Sequence, residues 1–330
     1  MKRQSLLVGV VAWCCISAAI AAQSQSQSAS TYPTRPIRVV AAQSAGSSLD
    51  TLVRLVTPKT SELLGQQLVI DNRGGAGGTI GVELASRAAP DGYTLLVGAS
   101  SSMIVSRFTY RSLPFDVLKD FDPVSNIVNV DAVVVAHPSV PVKNAKDLVA
   151  LAKAQPGKLN MASAGVGSSS HLAGVMFTTM AGINAVHVPY KGGGPMAAAI
   201  IAGEATFSIS PAAAVVSHIK AGRVRGLGIT SKKRSPLLPD LPTVDESAVP
   251  GYEYISWNGI FVPRGTPRPI VTKLHATLQK ALADPEVVRL FAAQGLQPSG
   301  STSPEEFGRF FRADFERNAK LVQVAGIKPE

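Results

Sequence analysis

The chain has 330 residues, 45% of them hydrophobic and 16% charged, a balance that supports a packed core of about two domains and excludes global disorder. Its formal net charge is +10, but Lys2 and Arg3 sit at the extreme N-terminus and the other basic residues are scattered. The densest run, Lys232-Lys233-Arg234, reads as a solvated turn beside Pro236 and Pro239, and no RNP-like, zinc-finger or helix-turn-helix signature accompanies it, so nucleic acid is not an expected partner.

Residues 1–22 have the layout of a cleaved secretory signal peptide: Lys2 and Arg3, an apolar run over 6–22 broken only by Ser17, and Ala19-Ile20-Ala21 as a cleavage site. Both cysteines, Cys14 and Cys15, fall inside this leader, so no disulfide framework is expected in the exported chain. A Gln/Ser-rich linker covers 23–32. No later segment is long and apolar enough for a membrane span.

Ile37-Arg38-Val39-Val40 reads as a strand, followed by the loop Gln43-Ser44-Ala45-Gly46-Ser47-Ser48. Apolar spacing over 49–64 predicts a helix capped by Ser47 or Ser48 and broken near Pro58. A second strand is predicted at Leu68-Val69-Ile70, a helix over 79–88 and a third strand over 93–97, followed by the small-residue loop Gly98-Ala99-Ser100-Ser101-Ser102. A second series begins at Val133-Val134-Val135 and continues through strands at 159–162, 186–188, 205–209 and 224–229. Apolar patterning resumes as a strand within 252–261, and the tail is helical over 270–283, 285–294 and 304–325, with Pro285 and Pro304 in first turns and Ser303 as a cap.

Strand–loop–helix repetition of this kind predicts an α/β fold with parallel-rich sheets. The C-terminal helices have no sheet of their own, so the second series is expected to be inserted into the first. That division assigns 33–130 and 252–330 to lobe 1 and 131–251 to lobe 2, with crossovers near 125–132 and 245–256 forming a hinge beside a cleft.

Three loops at strand ends are candidates for holding a ligand: 43–48, 98–102 and Ser163-Ala164-Gly165-Val166-Gly167-Ser168-Ser169-Ser170-His171. In open α/β sheets ligands lie beyond the carboxyl ends of strands, and small residues let backbone N–H groups at a helix start approach an anion. Plain turns and caps are the competing reading. Asp50, one turn into the first helix, fits either a cap or a ligand contact. A serine hydrolase built on His171 or His187 is the rival of a different class, but no G-x-S-x-G elbow exists, and Gly165-Val166-Gly167-Ser168-Ser169 puts glycine at the nucleophile position. The five histidines are far apart, no H-E-x-x-H is present, and neither Gly75-Ala76-Gly77 nor Gly165-Val166-Gly167 completes a dinucleotide fingerprint, so neither metal nor cofactor is expected.

At this point several stretches resemble one family. They are Tyr32-Pro33-Thr34-Arg35-Pro36-Ile37, Asp71-Asn72-Arg73-Gly74-Gly75-Ala76-Gly77-Gly78, Ala89-Pro90-Asp91-Gly92-Tyr93-Thr94-Leu95-Leu96, Gly165-Val166-Gly167-Ser168 with His171-Leu172-Ala173, and Val188-Pro189-Tyr190-Lys191-Gly192-Gly193-Gly194-Pro195. Together they resemble the Bug-type substrate-binding receptors of tripartite tricarboxylate transporters, from about Tyr32 to the C-terminus. The resemblance implies a periplasmic-binding-protein-like fold: two Rossmann-like lobes, two crossover strands and a ligand cleft between them. It implies a non-enzymatic receptor that closes on a small organic acid and serves integral-membrane transporter subunits; a monomer is expected. A sensor receptor is the alternative within that class.

Ligand contacts implied by the resemblance fall on Gln43, Ser44, Ala45, Gly46, Ser47, Ser48 and Asp50, and on Gly165, Gly167, Ser168 and Ser169. Ser100, Ser101, Ser163, Ala164, His171 and Tyr190 complete the candidate set. The first loop departs from the family pattern, with Ser47 in place of a second glycine, and Val105-Ser106-Arg107-Phe108-Thr109 lacks the family's Asn-Pro. Phe108 is a candidate lining for an aromatic guest, and the expected ligand is a mono- or dicarboxylate, with an aliphatic or aromatic dicarboxylate favoured.

Overall fold

The computed structural model describes residues 31–329. The leader reading, and the linker up to residue 30, lie outside the described residues.

The chain forms two five-stranded sheets. Strands β1 (Ile37–Ala41), β2 (Leu68–Asn72), β3 (Thr94–Ala99), β4 (Phe121–Val130) and β10 (Ser256–Pro263) make the first, in the order β2-β1-β3-β10-β4. Strands β5 (Ala132–Ala136), β6 (Asn160–Ser163), β7 (Val186–Pro189), β8 (Phe207–Pro211) and β9 (Arg225–Ile229) make the second, in the order β7-β6-β8-β5-β9. Each sheet has one reversed strand in fourth place. β10 runs antiparallel to β3 and β4, and β5 runs antiparallel to β8 and β9, while the remaining adjacent pairs are parallel. The chain leaves the first sheet across Asp131 and returns to it between Ile229 and Ser256.

Helices cover both faces of the first sheet. α1 (Ser48–Leu64), α9 (Arg268–Leu282) and α10 (Pro285–Ala293) pack on one, where Ile37, Val39, Leu95 and Val97 meet Leu52, Val56, Leu274 and Phe291. The alternate residues, Val40 and Leu96, face the opposite side with α2 (Thr79–Ser86) and α11 (Pro304–Val324), as the two-residue period of a strand requires. Fully burying each such aliphatic side chain contributes about 1.5–3 kcal/mol. The second sheet is covered by α4 (Ala145–Ala154), α5 (Ser169–Ala181), α6 (Gly193–Ala202), α7 (Ala212–Lys220) and the single turn α8 (Val244–Ser247).

Four features differ from the sequence reading, each for a physical reason. α1 runs unbroken through Pro58, which lies with Arg54 on the solvent side, so water can satisfy the carbonyl that proline leaves without a donor. β4 was not anticipated because Asp122, Pro123, Ser125, Asn126 and Asn129 hide its pattern; it is an edge strand, where proline is tolerated. The stretch 98–102 is not an open loop. Gly98 and Ala99 still belong to β3, and the chain turns at once into a π-helical turn (Ser101–Val105) and α3 (Ser106–Thr109). The Met103 side chain occupies the space a Cβ on Gly98 would need, and Ser102 Oγ accepts from Ala99 N and donates to Ala99 O.

Tyr32, read as the end of the linker, is instead 2% exposed, donates to Gly92 O at 2.7 Å and packs edge-on against Tyr93. α11 belongs to both lobes. Phe307 and Phe311 pack with Trp257 and Phe261 of the first, and Leu321 and Val322 pack with Leu172, Phe177 and Tyr252 of the second. At its middle, Asp314 Oδ2 accepts from Trp257 Nε1 at 2.7 Å, while Oδ1 meets Arg317 and Asn318.

Gly259 sits where β10 shifts register against β4, and a Cβ there would lie 2.3 Å from Phe307 Cζ. Gly259→Ala is expected to destabilise the protein by about 1–3 kcal/mol through overpacking, read as a lower urea midpoint at unchanged slope.

Candidate ligand-binding cleft

The loop after β1 is organised by Asp50, which is 4% exposed. Ser47 caps α1, its Oγ accepting from Asp50 N. The Asp50 carboxylate accepts from Gly46 N at 2.8 Å and from Asn72 Nδ2 at 3.0 Å, and it pairs with Arg54 at 3.0 Å. The Arg54 hydrogen bond, with those from Gly46 and Asn72, holds this carboxyl below its usual range despite burial. Gly46 reaches its partner with φ +78, a conformation that favours glycine. Asp50 is therefore a cap and loop organiser, with both oxygens engaged within its own lobe. The amides of Ser48 and Leu49, at the start of α1, have no intrahelical acceptor.

The loop after β6 follows the same plan. Ser168 caps α5, its Oγ accepting from His171 N and donating to Gly165 O. Ser170 Oγ accepts from Ala164 N, Ser163 Oγ from Gly165 N, and His171 Nδ1 from Gly167 N at 3.1 Å. Three amides proposed for the ligand are thus engaged inside the loop, and the acceptor-free ones are those of Ser169 and Ser170, which begin α5. His171 stacks on His187 with centroids 3.8 Å apart, and His187 Nε2 lies 2.6 Å from Ser163 Oγ. Burial, then the neighbouring His187, push the His171 imidazole down to about 4, so it is neutral at pH 7. Ser163 has no exposed surface, so this serine–histidine contact is an internal brace.

The elements converge on a cavity of about 430 Å³ walled by both lobes. Of the candidate residues, Gln43, Ser48, Ser100, Ser101 and Ser169 line it. Ser44, Ala45 and Gly46 are exposed on the loop, while Ser47, Asp50, Ser163, Ala164, Gly165, Gly167 and Ser168 stand behind the lining. His171 borders a different hollow with His187 and residues 324–328. Tyr190 is half-buried, donates its N–H to Ser163 O and packs into the core on the far side of the second sheet. Arg107 is exposed, and Phe108 packs on Phe315 at 5.1 Å, so neither lines the cleft.

Ser100 stands out. It is 6% exposed, it lines the cavity, and its hydroxyl has no hydrogen-bond partner among the described residues.

Sequence reading missed Thr51, Leu52 and Leu55 on α1, Val130 at the end of β4, and three further lining segments. Pro211, Ala213 and Ala214 follow a strand end and start a helix made of small residues, the same signal used for the other loops. Ser256 and Asn258 are polar residues in the returning strand β10, and Gln294 and Leu296 follow α10, where no local signal points to a cleft. Two glycines at positive φ bring the lobes together. A Cβ on Gly167 would lie 2.9 Å from Thr109 Cγ2, and one on Gly295 would lie 3.3 Å from Ala213 Cβ. A third hollow, of about 510 Å³, lies at the crossovers and is bordered by Asp131, Lys232, Lys233 and Arg234.

Two α/β lobes with facing helix starts around one cleft define a solute-binding protein. The model of the family described as "Tripartite tricarboxylate transporter family receptor" matches residues 52–327, and the chain belongs to that family. It is 38% identical over 299 residues to a Pseudomonas sp. (strain P51) protein from the tcbD–tcbE intergenic region, covering 90% of this chain and 88% of that one. Among solved structures it is similar to R. palustris Rpa4515 with adipate, at 35% identity and a TM-score of 0.76, covering 91% of this chain and all of the other. It is also similar to MatC from Rhodopseudomonas palustris with bound malate, at 29% identity and a TM-score of 0.71, covering 89% of this chain and all of that one. Among the described residues, no helix is long and apolar enough to cross a membrane.

Two pH effects follow. Asp50→Asn is expected to lower Tm at pH 7. Because the folded-state carboxyl titrates below its ordinary value, the stability it contributes is present above about pH 4 and lost as pH falls through the folded value, so the gap between variant and wild type closes in acid. For His171 the folded state resists a proton that the unfolded chain accepts near 6.5, so stability declines from there down to about pH 4. His171→Gln, which keeps an acceptor for Gly167, is expected to flatten that part of a Tm-against-pH curve.

Proposed function

We propose that this protein is a periplasmic receptor, exported by its N-terminal leader and without catalysis of its own, that captures a small organic carboxylate and delivers it to integral-membrane transporter subunits. The observation that carries this reading is the cleft itself, which the starts of α1 and α5 border from opposite lobes and to whose lining Ser100 brings a hydroxyl with no hydrogen bond among the described residues. Open to the cleft, that hydroxyl is free to donate to a bound carboxylate oxygen in place of water. The first amides of two helices from opposite lobes add donors and positive potential without a formal charge. The adipate and malate held by two similar receptors support the ligand class.

Closure follows from the same geometry. An anion that touches both α1 and α5 binds the closed arrangement better than the open one, and that difference is what shifts the population. Asp131, the single residue between β4 and β5, and the segment between β9 and β10 are the joints about which the lobes would move.

A thermal-shift screen of organic acids tests the reading, since a ligand that binds only the folded protein raises its Tm. At least one small carboxylate is expected to raise Tm and to be recovered unchanged. Ser100→Val is expected to leave the ligand-free Tm close to wild type and to weaken binding about tenfold or more, the size of one hydrogen bond to a charged group. Equal affinity in the variant would remove Ser100 from the site.

A further inference from the structure

Strand β10 turns successive side chains to opposite sides. Trp257 enters the core of the first lobe with Phe307 and Phe311, while Ser256 and Asn258 face the cleft. The backbone of Asn258 is fixed on both sides, paired with Ala99 of β3 and with Val128 of β4. Its side chain is half-buried, lines the cavity and makes no hydrogen bond among the described residues. Gln43 and Gln294, the other carboxamides of the lining, have longer side chains and stand on a loop and at a helix end. A short amide on a paired strand is the better preorganised group.

Position separates Asn258 from the end of the cleft where α1 begins. β1, β3 and β10 are successive neighbours in the first sheet, so Asn258 stands two strand spacings, about 10 Å, from the strand that leads into α1. The second lobe adds donors of its own. α7 begins Ala212-Ala213-Ala214 after Pro211, with no side-chain cap. Ala212 N donates to Asp131 O at 2.8 Å, and the amides of Ala213 and Ala214, two residues of the lining, have no acceptor inside the helix.

We propose that Asn258 is the specificity-determining residue of the cleft, its carboxamide donating to a distal oxygen of a ligand whose first carboxylate lies between the starts of α1 and α5. The proposal rests on the carboxylate-capture reading and deepens it by naming the residue that tells one acid from another. No charged side chain lines the cleft, so both ends of the ligand are received by neutral donors. A distal carboxylate satisfies Asn258 Nδ2 and has a second oxygen for the α7 amides of the opposite lobe. A ligand ending in a methyl group would set that carboxamide against hydrocarbon, with its bonds to water lost and none gained. The cleft therefore favours a diacid over the monoacid of the same skeleton, and a change at Asn258 alters that ratio without altering the donors around the first carboxylate.

Calorimetric titration of the full exported chain and of two variants tests this, with adipate against hexanoate and terephthalate against benzoate. At least one diacid is expected to bind about tenfold or more tighter than its monoacid. Asn258→Leu removes the hydrogen-bonding groups, and Asn258→Asp puts a carboxylate in place of the donor. Each, checked for a wild-type-like melting curve, is expected to cut that preference about tenfold while the affinity for the monoacid stays within about threefold. Should none of the four acids bind, the tightest carboxylate of the thermal-shift screen and its analogue with a methyl group in place of the distal oxygen group take their place. A preference unchanged in both variants, an equal loss for both members of a pair, or a tightest ligand with no distal oxygen overturns the Asn258 assignment and leaves carboxylate capture standing. Absence of binding by all four acids, with no Tm shift from any other small carboxylate, overturns both.

Discussion

The cleft depends on a division of labour among backbone amides. A helix start offers several N–H groups without helical acceptors, and left alone they would hydrogen-bond to water in no particular arrangement. Here the protein engages one of them in each lobe through the capping serine, and several amides of the loop before it as well. In the first lobe Gly46 N goes to Asp50 and Asp50 N to Ser47. In the second, the amides of Ala164, Gly165 and Gly167 go to Ser170, Ser163 and His171. The donors left over at these two helix starts are the first amides of α1 and α5, held in place by the caps Ser47 and Ser168. Such preorganised neutral donors bind an anion without the desolvation that a buried lysine or arginine would bring.

Much of the fold was legible in the sequence. The strands at 37–41, 132–136 and 225–229 are short apolar runs bounded by turn residues, and the pattern of α9 to α11 is amphipathic over long stretches. The insertion of the second sheet into the first was implied by C-terminal helices that had nothing of their own to cover. β4 was illegible because an edge strand tolerates Pro123 and a row of polar residues that resembles a loop. Pro58 misled for the opposite reason, since a proline on the wet side of a well-buried helix bends the rule without breaking the helix.

The site was legible in outline and not in detail. Strand ends followed by small residues located Ser48, Ser100, Ser101 and Ser169 in the lining. Which residue faces the cleft and which stands behind it is decided by hydrogen bonds between residues three or four apart, and by the approach of the two lobes. Local sequence shows the first poorly and the second not at all. Asp50 and His171 have the residue types of a binding site and serve as its scaffold instead. Ser256 and Asn258 come from a strand far along the chain, and only the antiparallel return of β10 beside β3 brings them to the same place.

α11 changes how the two lobes can move. Two thin joints at the crossovers would let the halves swing like a clamshell. A rod of 21 residues, about 30 Å long, with Phe307 and Phe311 rooted in one half and Leu321 and Val322 in the other, does not permit that freely. Wide opening would tear one end of this rod loose, whereas a small rotation about its length would keep both ends seated, as about an axle. Arg317 Nε and Asn318 Oδ1 are buried without partners midway between those two ends. Were the halves to turn about this rod, those two groups are where contacts could be exchanged, and a twist would cost less packing than a gape.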